Sequence, residues 1–520
     1  MSKRFRLCNL NEPLLLPPSL QDWLPEDHLA RFIADLVEHL NLERILADYE
    51  DPRGLAAYHP KMMVRLLLYG YCTGVRSSRK IEEKTHDDIA FRYLAANQHP
   101  DHDTIATFRR RHLQAFAELF NQALRMCDKV GLIKLGHVAI DGTKLKANAS
   151  KHKAMSYERM NEKEKQLREQ VEQLLAEAAK ADADEDAKYG PGKRIDELPK
   201  ELARRESRLK NIAGAKAELE QEAKEQAEAE KAAVEAKLEE RRKKEQEQGR
   251  KMGGGAPQVP DPEQAKPKPK AQRNFTDIDS RIMKDGATKE FIQGYNAQAA
   301  VDSAAQIIVA AEITQQANDK QQLVPMVQVV EKNLGKKPEH VTADSGYFSE
   351  KAVTDEAVEG VDLLVAVSRE KHGSGTEQGG EAAEKNHGQK PGDETADAGS
   401  YSAEAVNDAA VNGADPRVAV RGGKPGSGTE QGGKAAEQKP AKVPSAAETM
   451  RKKLNSADGK AIYKMRKAVV EPVFGQIKER RGLRRFLLRG LEKVSAEWKI
   501  ICLTHNLLKM FVAGVRPQAV

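Results

Sequence analysis

Three carboxylates, far apart along the chain, are of the type and setting that hold divalent metal ions. Asp141 ends the alternating run HVAID, Asp344 ends HVTAD, and Glu471 lies within AIYKMRKAVVEPVFGQIKERRGLRRFLLRG, residues 461 to 490. Oxygen donors without clustered Cys or His favour Mg²⁺ or Mn²⁺. Two such ions about 3.5 to 4 Å apart would activate a water or a 3′-hydroxyl and stabilise the leaving oxygen of a phosphodiester. The surroundings of Glu471 agree. Between Arg451 and Gly490 thirteen Lys and Arg stand against three acids, a local charge of +10 where the whole chain carries +6. A basic surface of that density attracts polyanions, nucleic acid first. A carboxylate among those cations is misplaced beside a phosphate backbone unless it holds a metal. Each feature also has a plainer reading: Asp-Gly is the commonest hairpin signal, Asp before Ser-Gly is a frequent turn residue, and a basic run alone suits a solvated helix face.

These carboxylates need strands and a helix to carry them. Phe291 to Val301 and Gln306 to Ile313 predict two strands joined at Asp302 and Ser303, able to pair with the strand that ends at Asp141. DKQQLVPMVQVVEKNL predicts an amphipathic helix, HVTADSGYFS a strand, SEKAVTDEAVE a helix and VDLLVAV a further strand. That alternation implies parallel pairing in an α/β sheet, with Asp344 past a strand's C-terminal end, where such sheets present functional groups. The closing LEKVSAEWKIICLTHNLLKMF predicts a helix packed on the sheet. Strands about 4.8 Å apart let two aspartates at their ends share an ion, and a crossing helix can bring the glutamate.

Residues 1 to 130 predict short helices. One carries Leu29, Phe32, Ile33, Leu36, Val37 and Leu40 on a single face, with Pro25, Glu26 and Asp27 in its first turn. Another starts after His59 and Pro60, and a third runs from an Asp103 cap through Phe120. Exposed Arg76, Arg79, Arg109, Arg110 and Arg111 would suit a helix-turn-helix-like DNA module, although plain packing on a neighbour explains the helices equally well. His99, Asp101, His102 and Asp103 fit a polar loop ahead of a cap better than a metal site.

Two stretches interrupt the α/β pattern. Residues 156 to 250, rich in Glu, Lys, Ala, Gln and Arg and broken at Gly190, Pro191 and Gly192, predict an antiparallel helical hairpin with a thin apolar seam; a linker, 251 to 270, follows. Within 371 to 445, GSGTEQGGEAAE recurs as GSGTEQGGKAAE with eleven of twelve residues identical, a composition that buries no core and predicts disorder. No apolar run approaches the roughly 18 residues of a membrane span. Four scattered cysteines without CxxC pairing argue against zinc or a disulfide framework and fit a reducing cytoplasm.

Taken in order, NEPLLLPPSLQDWLP, HVAIDGTKLKANAS, TDIDSRIM, GYNAQAAVD, VTADSGYFS, VEPVFGQIKERRGLRRFLLRGLEKV and LTHNLLK are similar to the DDE transposases of bacterial insertion sequences, the group with an N-terminal helical domain and an RNase H-like catalytic domain. The resemblance implies an α/β, RNase H-like mixed sheet assembled from 131–155, 271–370 and 446–520. It implies Asp141, Asp344 and Glu471 as the catalytic triad that binds two Mg²⁺ or Mn²⁺ ions. It implies transposon-end and target DNA as partners, a homodimer on DNA and a nucleoid-associated protein. Tyr463, Arg466, Glu471 and Lys478 match the residue types of the family's tyrosine, basic, glutamate, lysine signature. Four residues separate Arg466 from Glu471 where three are usual, so Lys467 is an alternative for the basic position. Lys478, Arg480, Arg481, Arg484 and Arg485 are expected to hold phosphates. A copy that binds DNA without cleaving it, and a coiled-coil scaffold built on the charged hairpin, are the competing readings.

Overall fold

The computed structural model describes residues 19–49, 57–189, 200–248, 258–286, 288–367 and 444–515. The duplicated tracts, the Gly190–Gly192 break and Cys8 lie outside them.

The N-terminal part is helical: α1 (Leu29–His39), α2 (Glu43–Leu46), α3 (Pro60–Thr73), α4 (Ser78–Asp87), α5 (Ile89–Leu94), α6 (His102–Arg111) and α7 (Leu113–Lys129). The caps differ from expectation. His28, whose Nδ1 accepts from Ala30 N, caps α1, so Pro25, Glu26 and Asp27 precede the helix. Asp101, not Asp103, caps α6 by accepting from Thr104 N at 2.6 Å. That helix then stops at His112, and a separate α7 follows.

The sheet begins with β1 (His137–Lys146) and continues after an insertion. The insertion comprises β2 (Ala154–Ser156), α8 (Tyr157–Tyr189), α9 (Lys200–Gln248) and β3 (Gln272–Asn274), with β2 pairing β3 at its root. Met160 and Leu167 meet Ile212, Ala215 and Leu219 across the hairpin. Tyr157 donates to Glu220 and Lys216 pairs Glu164, fixing an antiparallel register. The expected linker contains a short 3₁₀ turn at Pro262–Gln264, tied to α9 by the Lys224–Glu263 ion pair.

Then come β4 (Arg281–Lys284), β5 (Phe291–Asp302), β6 (Ile308–Thr314), α10 (Leu323–Leu334), β7 (His340–Ala343), α11 (Glu350–Val353) and β8 (Asp362–Val365). The strand order is β4-β5-β1-β7-β8, with β6 also on β5. β5 runs antiparallel to β1, and its other edge is shared by β4 and β6. β7 is parallel to β1, and β8 to β7. This is the mixed α/β sheet expected. The crossover before β8 is shorter than SEKAVTDEAVE predicted: one four-residue helix and a 3₁₀ turn, because Thr354 and Asp355 end the first and cap the second.

The C-terminal helices α12 (Ala446–Asn455), α13 (Ala457–Gly475) and α14 (Leu491–Val512) cover the sheet. Val469, Val470, Val473 and Ile477 form the buried side of α13 and its extension. Pro472 lies inside α13 and has no N–H for the carbonyl four residues earlier. Gln306 Nε2 donates to that carbonyl, Ala468 O, at 3.0 Å. Asn506 of α14 pairs Ile308 as a strand would, accepting from its N–H and donating to its carbonyl. Trp498 Nε1 donates to Gln298 O. Asp277 and Asp279 of the TDIDS motif accept from Gly490 N and Leu491 N, capping α14 from a remote segment. One hydrophobic core joins Leu36 and Leu67 of the helical part to Val138, Val309 and Trp498 of the sheet. No described helix is long and apolar enough to cross a membrane. Cys72, Cys127 and Cys502 are buried free thiols.

His505 ties α14 to the π-helical turn and to the β5–β6 turn. Its Nε2 lies 2.9 Å from Gln306 O and its Nδ1 lies 3.0 Å from Gln476 Oε1. The backbone carbonyl can only accept, so in the neutral ring Nε2 carries the proton, and Nδ1 accepts from Gln476 when that amide is turned about. Burial pushes the imidazole down from 6.5 to about 3. Between those values the unfolded chain binds a proton that the folded one refuses, so stability is fully present above 6.5 and falls as pH drops, by at most about 1.4 kcal/mol per pH unit. Urea midpoints of wild type and His505→Gln at about pH 7 and about pH 5 check this: the wild type should lose more on acidification. Equal losses would refute it.

Candidate active site

The strand register sets the two aspartates side by side. Val138 pairs Val341 and Ala139 pairs Thr342, so Asp141 and Asp344 occupy equivalent positions on adjacent parallel strands. Asp344 follows the end of β7, but Asp141 does not end its strand as expected, because β1 runs on to Lys146 against β5. Asp141 is half-buried and Asp344 begins the turn after β7. Asp141 Oδ1 accepts from Gly142 N at 2.8 Å, and Asp344 Oδ1 from Gly346 N at 2.9 Å. Burial pushes the Asp141 carboxyl up to about 6; Gly142 N–H and the Arg466 guanidinium oppose the rise, while Asp344 and Asp319 add to it.

Helix α13 lies over β1 and β7. From it, Arg466 Nη1 reaches Asp141 Oδ2 at 3.4 Å, and the ring of Tyr463 lies 6.0 Å from the Arg466 guanidinium carbon. Lys467 and Glu471 are exposed, one turn apart. The buried valines set this phase: with Val470 and Val473 facing the core, Glu471 lies on an outer flank. Glu471 has no hydrogen-bond or ion-pair partner among the described residues, and no three described His, Cys, Asp or Glu converge closely enough to chelate. The oxygen-only donor set and the mutual repulsion of Asp141 and Asp344 fit a hard divalent cation, whereas the third expected ligand is not brought to them in this conformation.

After α13 the chain forms a π-helical turn, Gln476–Arg480, which shifts the following side chains out of α-helical phase. Lys478 Nζ thereby approaches Lys144 O at 3.4 Å, and burial lowers its pKa. Arg480, Arg484 and Arg485 are exposed. Arg481 is not: it is 5% exposed and donates to Tyr71 O, Ile501 O and Thr504 Oγ1, so it is an internal brace rather than a phosphate ligand. Arg76 and Arg109, expected at the surface, are likewise turned inward toward Glu497. Phe486 N donates to Lys146 O and Lys146 N to Arg484 O, laying this segment beside the end of β1. Arg485 then joins Lys146, Lys151, Lys153, Arg489 and the exposed Phe291 around a cleft of about 530 Å³. Of these, Lys151 and Lys153 sit in an ordinary polar stretch of the sequence, and Arg489, though within the basic segment, was not singled out there. Asp319 was missed too, since its side chain meets the site only through β5.

A mixed sheet of this order, with two aspartates at matched positions on adjacent parallel strands under a basic helix, is an RNase H-like arrangement. Residues 18–111 match a family model described as a transposase domain (DUF772), and residues 270–507 match one described as a transposase DDE domain. Together they cover more than half of the chain, which belongs to the DDE transposases of insertion sequences. No curated protein and no solved structure matches it.

Proposed function

We propose that the chain binds the terminal inverted repeats of its own insertion sequence, hydrolyses the phosphodiester at each end with Mg²⁺ or Mn²⁺, and joins the freed 3′-hydroxyls to target DNA. The observation that carries this reading is the matched register of Asp141 and Asp344 on adjacent parallel strands. Those two carboxylates would hold the first ion, and Glu471 would complete a second site from α13 once DNA is seated. When bound, the pair of ions supplies an activated oxygen nucleophile and charge neutralisation at the leaving oxygen. Arg466, over the ring of Tyr463, holds the Asp141 carboxylate in place until then. Lys478, Arg480, Arg484 and Arg485, with Lys146, Lys151, Lys153 and Arg489, hold the strand's phosphates and fix the scissile bond. Residues 1–130 would form the end-binding helical part, 131–155, 271–370 and 446–520 the catalytic part, and a homodimer would present one site to each end, acting in the nucleoid.

A second reading, DNA binding without cleavage, is favoured by one observation: the outward flank occupied by Glu471. Full-length protein incubated with Mg²⁺ and DNA carrying both ends of the element separates the two. Nicks at the ends are expected. A retained gel shift without nicks would establish the second reading, and no shift at all would overturn both.

A further inference from the structure

Asp319 lies in the turn between β6 and α10, outside every motif of the expected triad. Its Oδ1 accepts from Asn296 Nδ2 and from Gln298 Nε2, each at 2.7 Å. These amides come from alternate residues of β5, directly across from Lys144 and Gly142 of β1. The buried Tyr347 hydroxyl donates to Gln298 Oε1, which forces the NH₂ of that amide toward Asp319. With two donors fixing Oδ1, the plane of the carboxylate is set and Oδ2 is aimed. Its one ion-pair partner among the described residues is Lys144 Nζ, at 3.5 Å.

The glycines that follow the two expected aspartates make room for this third one. A Cβ on Gly142 would stand 2.9 Å from Asp319 Oδ1, 2.9 Å from Asn296 Oδ1 and 2.3 Å from Gln298 Nε2. A Cβ on Gly346 would stand 3.0 Å from Asp344 Oδ1 and 3.7 Å from Asp319 Oδ2, so both oxygens border the space beside that glycine. An independent feature points to the same place. Asn296 is fully buried, yet its Oδ1 has no hydrogen-bond partner and is directed at Gly142. A buried, unpaired acceptor beside three carboxylates is costly in isolation and becomes favourable beside a cation. Arg466 and Lys144 supply two positive charges against the three negative ones, leaving a deficit.

We propose that Asp319 is a ligand of the divalent-cation centre: the three aspartates do not converge closely enough to chelate in this conformation, and an entering cation draws Asp319 Oδ2 in alongside Asp141 and Asp344. This rests on the metal-dependent reading above and adds a residue to it. Lys144 then acts as the exchangeable counter-ion, releasing Asp319 when the cation enters and becoming free to meet a phosphate.

Mn²⁺ titration of the full-length protein, followed by electron paramagnetic resonance, tests the assignment. Asp319→Asn keeps Oδ1 as acceptor for both amides, so the fold and end-DNA binding in EDTA should persist, while Mn²⁺ binding weakens about tenfold or more. Asp319→Cys should bind Cd²⁺ with a thiolate charge-transfer absorption absent from wild type, which a merely structural residue would not produce. An Asp319→Asn isotherm equal to wild type, with no Cd²⁺ band in Asp319→Cys, overturns the proposal. If Asp141→Asn and Asp344→Asn still weaken Mn²⁺ binding in that case, the metal reading survives without Asp319. If they too match wild type, both fall.

Discussion

Asp141→Asn is expected to lose end nicking by about 10³-fold or more while end-DNA binding in EDTA stays within about twofold of wild type. A metal-held activated oxygen and a neutralised leaving group are worth several kcal/mol at the transition state, and each 1.36 kcal/mol is a factor of ten in rate. The substitution is nearly isosteric. Asn keeps an oxygen to accept from Gly142 N, which now donates to Asp141 at 2.8 Å. What it removes is the charge. Burial and the carboxylates of Asp344 and Asp319 already make that charge hard to keep, with a pKa of about 6, so the loss should stabilise the fold slightly if it changes it at all. Activity and stability thus move in opposite directions, the pattern of a residue retained for chemistry. Gel shifts, strand-nicking rates and melting temperatures on one preparation measure all three. Nicking by Asp141→Asn at the wild-type rate would remove the paired aspartates from the mechanism.

How much of this site the sequence discloses depends on the range of the interaction. The strand segments that lead to Asp141 and Asp344 are written locally, as apolar runs before Asp-Gly and Asp-Ser-Gly, although Asp-Gly does not end β1, which β5 holds extended to Lys146. Their equivalence in register is not local; it comes from β7 lying parallel to β1. The basic stretch after α13 was legible as charge, but charge does not say which arginine turns inward. The π-helical turn, and Gly482 at φ +63°, send Arg481 into the core and leave Arg480 and Arg484 outside. The phase of α13 is fixed by its buried valines, which bring Arg466 rather than Lys467 to Asp141. Asp319 was illegible because its neighbours in the chain, Asn318 and Lys320, read as the polar start of a helix. Only Asn296 and Gln298, more than twenty residues away, give it a place.

Glu497 governs the other large effect, on stability. It is fully buried in α14, and its carboxylate accepts from Leu487 N and Leu488 N while Arg76 Nη1 lies 3.6 Å away. Arg76 in turn donates to Arg485 O and accepts, through its own carbonyl, from Arg109 Nη1. This chain fastens the N-terminal helices to the segment that carries Arg484 and Arg485 beside β1. Burial raises the pKa of Glu497, while the Leu487 and Leu488 N–H groups, Arg76 and Arg109 favour its charged form. Glu497→Ala would leave the Leu487 and Leu488 N–H groups without their acceptor and the largely buried Arg76 guanidinium without its counter-charge, a loss of about 3 kcal/mol. Glu497→Gln keeps one acceptor for the backbone and should cost less. The expected order of urea midpoints is therefore wild type, Glu497→Gln, Glu497→Ala. The alanine variant should also lose end-DNA affinity in proportion to its unfolding, because Arg485 is held by the same network. A midpoint for Glu497→Ala equal to wild type would mean that the helical part and the basic segment are fastened by packing of α14 on α3 and α7 alone.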